Sequence, residues 1–419
     1  MRSIYLILAI FLAFKIIYSQ IPEYSVFYYM NGEHSQLLNP IINSVQLNPP
    51  NQPDIRVYPS TRDQQNISVS ISPINDQVIL TSASNGYFYS TDRGITWNGS
   101  ENPPNGGINW GLSSVVIDKN GYFYRQDDNY LFGVSVIRST NLGQNWTEYL
   151  IAQGTGIPNQ PLESGNIEAD NEIYSPYYGI LYSIWTDYSD NDFGRIKVAR
   201  STNRGQNWTT TAIISSGLID PNIYAHQFPQ IKVGVNGTVY ATWVIRDKVS
   251  PFTERGIGFN FSTDGGLTWG QPKFAINDIK GIRELPNSTL GIAVQSRPVL
   301  GISKNNTIFI AWLNIGVPGI NIGDPDLYII SSSSDGAAWS SPIRVNKDDI
   351  NTGAIQFNPC LSIDEITGDI YVGFFDNRLN IGTNECGFYV AKSINFGQSF
   401  NDFIVSDNTF SVNPIWNYF

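Results

Sequence analysis

The sequence is poor in the side chains that hold metals or form covalent cross-links. Two cysteines, two histidines and two methionines are all that its 419 residues contain. With only His34 and His226 available, a multi-histidine metal centre is excluded. Cys360 and Cys386 stand 26 residues apart, and neither has a second cysteine or a histidine close enough for a metal-ligand motif. No metal or other cofactor is therefore expected. Charge is also scarce, at 15% of residues, and its balance is acidic, with a formal net charge of −11. That balance argues against nucleic acid and anionic membranes as partners. Beyond the first twenty residues, no stretch approaches the roughly 18 apolar residues that a membrane-spanning helix needs.

What is present is aromatic, turn-rich and repetitive. Aromatic residues make up 13% of the chain, and 37 glycines and 23 prolines punctuate it. This profile fits many short strands better than long helices. The first residues, MRSIYLILAIFLAFKIIYSQ, place Arg2 before an apolar run that ends at Ser19. That is the pattern of a secretory leader over 1–19, cleaved after Ser19. Losing Arg2 and Lys15 with it would deepen the negative charge by two. An exported, extracellular and monomeric protein is expected. Eight Asn-x-Ser/Thr sequons, at Asn66, Asn98, Asn145, Asn207, Asn236, Asn260, Asn287 and Asn305, are then open to N-glycosylation in a eukaryotic host. Export also favours pairing of Cys360 with Cys386, with two buried free thiols as the alternative.

One octad recurs six times: STDRGITW, STNLGQNW, STNRGQNW, STDGGLTW, SSSDGAAW and SINFGQSF. Its last residues are Trp97, Trp146, Trp208, Trp269, Trp339 and Phe400. The spacing of about 60 residues suits one four-stranded propeller blade. Before the last four octads come GILYSIWTD, GTVYATWVI, NTIFIAWLN and GDIYVGFFD, each the alternating β-branched and aromatic pattern of a strand. Each unit reads strand a, tight turn, strand b, longer loop, strand c, octad, strand d. The fold class is therefore all-β: a six-bladed β-propeller of four-stranded antiparallel blades over 60–419. Residues 20–59 form an N-terminal extension placed to help close the ring.

Within the octad, the third position carries Asp92, Asn141, Asn203, Asp264, Ser334 and Asn395. A turn acceptor tolerates that exchange, because each of these side chains offers an oxygen to backbone N–H groups. A catalytic carboxylate would not. Glycine at the fifth position supplies a positive φ. The six octads are therefore read as structural hairpins.

The octad resembles the Asp-box, also called the bacterial neuraminidase repeat. The whole layout is similar to the sialidase-like six-bladed propellers, over most of residues 60–408. The resemblance implies that the octads lie on the face opposite the binding site. As that family is understood, three arginines clamp a substrate carboxylate, a Tyr–Glu pair supplies the nucleophile and an Asp is the acid/base. The first arginine belongs to a Phe/Tyr-Arg-Ile-Pro motif at the start of blade 1. Here Gln64-Gln65-Asn66-Ile67 stands in that place, and neither Arg56 nor Arg62 matches the register. No Tyr–Glu pair is assigned by position; Glu163 and, by its loop, Tyr224 are candidates.

Propeller geometry predicts the site independently. The rim is lined by residues just before strand a and by the b–c loops. Before strand a stand Gln65, Trp110, Glu163, Gln227, Arg297 and Gln356; after strand b stand Asp127, Asp128, Asp187, Arg246, Asp247, Asp376 and Arg378. From these, Arg246, Arg297, Arg378, Asp187, Asp247, Asp376 and Glu163 are the catalytic candidates. Gln65, Trp110, Gln227 and Gln356 are the substrate-binding candidates. Three readings stay open: a propeller that binds an extracellular glycan or glycoprotein without turnover; a glycoside hydrolase of the exo-α-sialidase type, with carboxylates among Glu163, Asp187, Asp247 and Asp376; and an interaction module of an extracellular coat.

Overall fold

A computed structural model describes residues 54–59, 67–83, 86–104, 113–129, 133–157, 161–189, 194–209, 212–281 and 294–412. Every blade is a consecutive four-stranded antiparallel sheet. Blade 1 holds β1 (Ser68–Ile71), β2 (Ile79–Ala83), β3 (Gly86–Ser90) and β4 (Asn98–Ser100). Blade 2 holds β5 (Ser114–Ile117), β6 (Phe123–Asn129), β7 (Gly133–Ser139) and β8 (Thr147–Gln153). Blade 3 holds β9 (Leu162–Ala169), β10 (Leu181–Asp187), β11 (Arg195–Ser201) and β12 (Ala212–Ile213). Blade 4 holds β13 (Tyr224–Val233), β14 (Val239–Asp247), β15 (Glu254–Ser262) and β16 (Lys273–Asn277). Blade 5 holds β17 (Val299–Ile302), β18 (Ile308–Ile315), β19 (Pro325–Ser332) and β20 (Ile343–Arg344). Blade 6 holds β21 (Gln356–Ile363), β22 (Ile370–Asp376), β23 (Glu385–Ser393) and β24 (Asn401–Ile404), and β25 (Phe410–Ser411) adds to β23. The fold is the all-β, six-bladed propeller that the repeat predicts. Among the described residues, no helix is long and apolar enough to cross a membrane.

The octads form the c–d hairpins, and their chemistry is local. In blade 1, Ser90 Oγ accepts the Gly94 N–H at 2.7 Å and Asp92 Oδ1 accepts the Thr96 N–H at 2.8 Å. Asn141, Asn203 and Asn395 accept the equivalent N–H through Oδ1 at 2.9–3.0 Å, and Ser334 through Oγ at 3.1 Å. The exchange of Asp for Asn or Ser thus preserves one hydrogen bond. The fifth-position glycines take φ between 73° and 85°, which the missing Cβ makes easy, and the residue before each is left-handed too, as at Arg93 (φ 61°) and Phe396 (φ 58°).

The core lies between blades rather than within them. Trp185, Trp243, Trp312 and Phe374 hold the same place on strand b of blades 3 to 6 and are completely buried. Octad glycines pack on the preceding blade: Gly266 faces Tyr182 and Gly336 faces Phe259. Inner strands are stitched in the same direction. Ser68 Oγ accepts the Val115 N–H (3.0 Å), Ser114 Oγ the Ile167 N–H (3.2 Å) and Asn166 Oδ1 the Ile231 N–H (3.2 Å).

The expected Cys360–Cys386 bridge does not form, and both thiols are free. Cys360 pairs with Gly373, which pairs with Val390. Cys386 lies four residues from Val390 along β23, about 13 Å at ~3.3 Å per residue, and β22 intervenes. That offset exceeds the Cα separation of about 7 Å that a disulfide permits. Instead, Cys360 Sγ donates to the Gly373 carbonyl, and burial pushes both thiols up to about 12.

Candidate functional site

Strand a is irregular at its rim end, and this irregularity positions the site. In blades 3, 4 and 6 the a–b register slips by a bulge, opposite Trp185, Trp243 and Phe374 respectively. In blades 4, 5 and 6 the equivalent residue has positive φ and precedes a proline: Phe228 (53°), Arg297 (32°) and Asn358 (51°). A non-glycine residue in this region is strained, the more so before proline. Bulges of this kind re-aim side chains next to binding sites.

Blade 4 builds the centre of the site. Its strands β13 and β14 run on to Tyr224 and Asp247, carrying Arg246 to the rim. Arg246 Nε donates to Gln227 Oε1 at 2.8 Å, and Nη1 donates to the Asp247 carbonyl at 2.9 Å. Gln227 Nε2 donates to Glu163 Oε1 of blade 3 at 3.4 Å. The Arg246 guanidinium stands 5.1 Å from the Phe252 ring centroid. From blade 5, Arg297 stacks 4.8 Å over Phe228, and its Nε donates to Gln295 Oε1 at 2.7 Å. Beneath them Glu254, completely buried and opposite Arg246 in the ladder, accepts the Ser296 N–H through Oε2 at 2.7 Å. Glu163, Gln227, Arg246 and Arg297 thus gather around the Gln227–Phe228 step.

Two buried groups adjoin this assembly. Asp128 Oδ2 accepts the Gly165 N–H at 2.6 Å. Burial pushes its carboxyl up to about 8, against the lowering effect of its hydrogen bonds, and the charges of Asp127 and Glu163 push the same way. His226 lies edge-on to Trp243, and burial drives its imidazole down to about 3, so it is uncharged at neutral pH.

The other predicted residues among those described are engaged in ion pairs or side-chain networks of their own. Asp187 is ion-paired with Lys197 of its own blade and accepts the Ser189 N–H at 2.7 Å. Asp247 is ion-paired with Arg255 at 2.8 Å and stands opposite Tyr224 in the ladder. Gln356, Asp376 and Arg378 belong to a second polar cluster between blades 5 and 6. There Arg378 is engaged by Asp376 at 2.6 Å and Asp402 at 2.7 Å, and Arg344 bridges Asp326 and Asp348. Gln356 accepts from Asn346 at 2.9 Å and donates to Asp348 at 3.1 Å. The guanidinium of Arg378 is therefore held by carboxylates of this cluster. Gln65 and Trp110 lie outside the described residues. Among the described residues, no group of three or more His, Cys, Asp or Glu side chains is arranged to hold a metal ion.

Sequence reasoning missed Phe228, Phe252 and Glu254, and placed Asp128 after strand b on the rim, whereas it lies buried within β6. One signal was available. Where blades 3 to 6 read SIWT, ATWV, IAWL and VGFF on strand b, blade 2 reads RQDD. The structure buries all four of Arg125, Gln126, Asp127 and Asp128, with Arg125 paired to Asp127 at 2.6 Å.

No family model matches the chain, and no curated protein matches its sequence. Solved structures do match in shape. An ulvan lyase, described as a polysaccharide lyase of family PL25 bound to -[GlcA(1-4)Rha3S]-, gives a TM-score of 0.56 at 9% identity, over 78% of this chain and 80% of that one. A Hadza microbial sialidase gives 0.48 at 11% identity, over 79% and 67%. An α-L-arabinofuranosidase from Fusarium graminearum gives 0.49 at 14% identity, over 75% and 88%. At such identities, the likeness to the lyase establishes a shared propeller fold.

Proposed function

We propose that the protein is an exported propeller that binds an acidic glycan on the rim of blades 3 to 5, over Glu163, Gln227, Arg246 and Arg297. One observation carries this reading: two arginines, Arg246 and Arg297, come from adjacent blades to flank one step of β13, each packed against a phenyl ring. Guanidinium groups match sugar carboxylate or sulfate bidentately, and an aromatic support fixes their planes. Glu163 and Gln227 add acceptors and donors for hydroxyls. The ulvan lyase that shares the fold is bound to a glycan with a uronic acid and a sulfated sugar, which fits the same chemistry. The leader-like N-terminus supports export, and the octads support the Asp-box resemblance.

Binding is favoured over hydrolysis by the state of the carboxylates. A glycosidase needs two free carboxyl groups flanking the scissile bond, one of them protonated. Of the four candidates, Asp187, Asp247 and Asp376 are each ion-paired with a cation of their own blade. Asp128 holds a proton but is buried. The test is a glycan array probed with the secreted protein, followed by titration of uronate, sulfated and sialylated oligosaccharides. Arg297→Ala is expected to weaken binding roughly tenfold or more, as fits a charged hydrogen bond of ~1.5–3 kcal/mol. Released monosaccharide or an unsaturated uronate product, abolished by Glu163→Gln, would replace binding with an enzymatic role.

A further inference from the structure

Among the described residues, five of the six sequons, scattered in sequence, converge in space. Among the described residues, Asn98, Asn145, Asn207, Asn236 and Asn305 are exposed. Asn145 and Asn207 are the seventh residues of the blade 2 and blade 3 octads, and Asn98 directly follows the blade 1 octad. Asn236 and Asn305 sit in the a–b turns of blades 4 and 5, between β13 and β14 and between β17 and β18. In an antiparallel blade, the a–b and c–d turns share one end and the b–c loop occupies the other. All five asparagines therefore stand on the octad face, one on each of blades 1 to 5, with the glycan-binding rim at the opposite end.

The sixth described sequon is the internal control. Asn260 lies within β15 and is 1% exposed. Its Nδ2 donates to the carbonyls of Ile214 and Gly270, both at 2.9 Å, and its Oδ1 accepts the Phe261 N–H at 2.8 Å. Both amide protons are engaged, so a sugar on Nδ2 is incompatible with the folded blade. Asn236, by contrast, engages its Oδ1 with the Thr238 N–H at 3.1 Å. The same face also exposes apolar tips, among them Ile95, Leu142, Leu267 and Phe396 at 39–64%. An uncovered apolar face of this kind is a liability in solution, and attached glycans would cover it.

We infer that these five asparagines are N-glycosylation sites, which coat the octad face at the end of the ring opposite the ligand-binding rim. The transfer is conventional in its bonds. The amide Nδ2 forms a bond to the anomeric carbon of an oligosaccharide carried on a polyprenyl pyrophosphate. The anomeric carbon–oxygen bond to the pyrophosphate breaks, the lipid pyrophosphate leaves with the electron pair, and the amide gives up one proton. The inference rests on the export reading, and the experiment separates the two.

The full chain, with its own N-terminus, is expressed in cultured animal cells. Medium and cytosol are collected, and asparagines deglycosylated in heavy-oxygen water are mapped by mass spectrometry. Expected is secreted protein labelled at Asn98, Asn145, Asn207, Asn236 and Asn305, with Asn260 unlabelled. Replacing all five by Gln should remove the enzyme-sensitive mass shift that belongs to them and leave glycan binding at the rim intact. Secreted, folded protein unlabelled at these five sites, or labelled at Asn260, would overturn the inference while sparing export. Chain confined to the cytosol and unlabelled would overturn both.

Discussion

Burial removes Asp128 from water, yet the carboxyl still accepts the Gly165 N–H and lies close to the charges of Asp127 and Glu163. The protonated form avoids the cost of an unpaired buried charge. The consequence for stability follows from linkage. The ordinary value for an aspartate is 3.8, and the folded value is about 8. Between about pH 4 and about pH 8 the native state keeps a proton that the unfolded chain has released. Stability therefore falls as pH rises through that window, and this contribution levels off above it. Asp128→Asn keeps one acceptor and one donor and cannot ionise. Its urea midpoint is expected to fall less than that of the parent between about pH 5 and about pH 9, so that the variant gains on the parent toward the alkaline end. Asp54, Asp170, Asp326 and Asp376 are raised too, mainly by burial, so the difference between variant and parent is the quantity to read. Parallel curves for the two proteins would show that Asp128 is ionised in the fold.

At the scale of the element, the octad divides its requirements between side-chain oxygen and backbone. Asp264 Oδ1 accepts the Thr268 N–H at 2.9 Å, and Asn395 does the same for Ser399 at 3.0 Å. Asp264→Asn should therefore leave the melting temperature within roughly 2 °C of the parent, as for a half-buried surface substitution that keeps its bond. Gly266 has φ 80°, and a Cβ there would meet the Tyr182 ring at 2.9 Å. Gly266→Ala should cost about 1–3 kcal/mol, from the left-handed backbone and from the crowded blade interface. Equal melting points for the two variants would contradict this division. The same contrast explains what the sequence revealed. The octad satisfies itself within eight residues, so its repetition reports the blade count directly. The left-handed backbone at Phe228, Arg297 and Asn358 belongs to the end of strand a that faces the buried aromatic of strand b. Nothing within β13, β17 or β21 announces it beyond a proline that also occurs in loops.

The whole ring imposes a different logic, because partners are chosen across blades. Gln227 takes Glu163 of the preceding blade, 64 residues away, so the polar types at the rim were legible while their pairing was not. Closure is the sharpest case. Successive blades are joined by the chain, but blades 6 and 1 lie at opposite ends of it. Residues 54–59 carry no strand and instead bind at that seam. The Asp54 N–H donates to Asp407 Oδ2 at 2.6 Å and the Asp407 N–H donates back to Asp54 Oδ2 at 3.2 Å. Val57, 4% exposed, packs with the buried Phe88 of β3, and Tyr58 lies tilted against the same ring, 4.8 Å between centroids. One short segment thus grips the loop after β24 with its first residue and the c strand of blade 1 with its next turn of chain. A charge at Val57 should break the second grip and leave the other blade interfaces untouched. For Val57→Asp, faster amide hydrogen exchange is expected in β1–β4 and β21–β24, with β9–β16 as protected as in the parent, because local opening follows the weakest interface. Exchange that rises uniformly around the ring, or not at all, would mean that residues 54–59 lie on the seam without holding it.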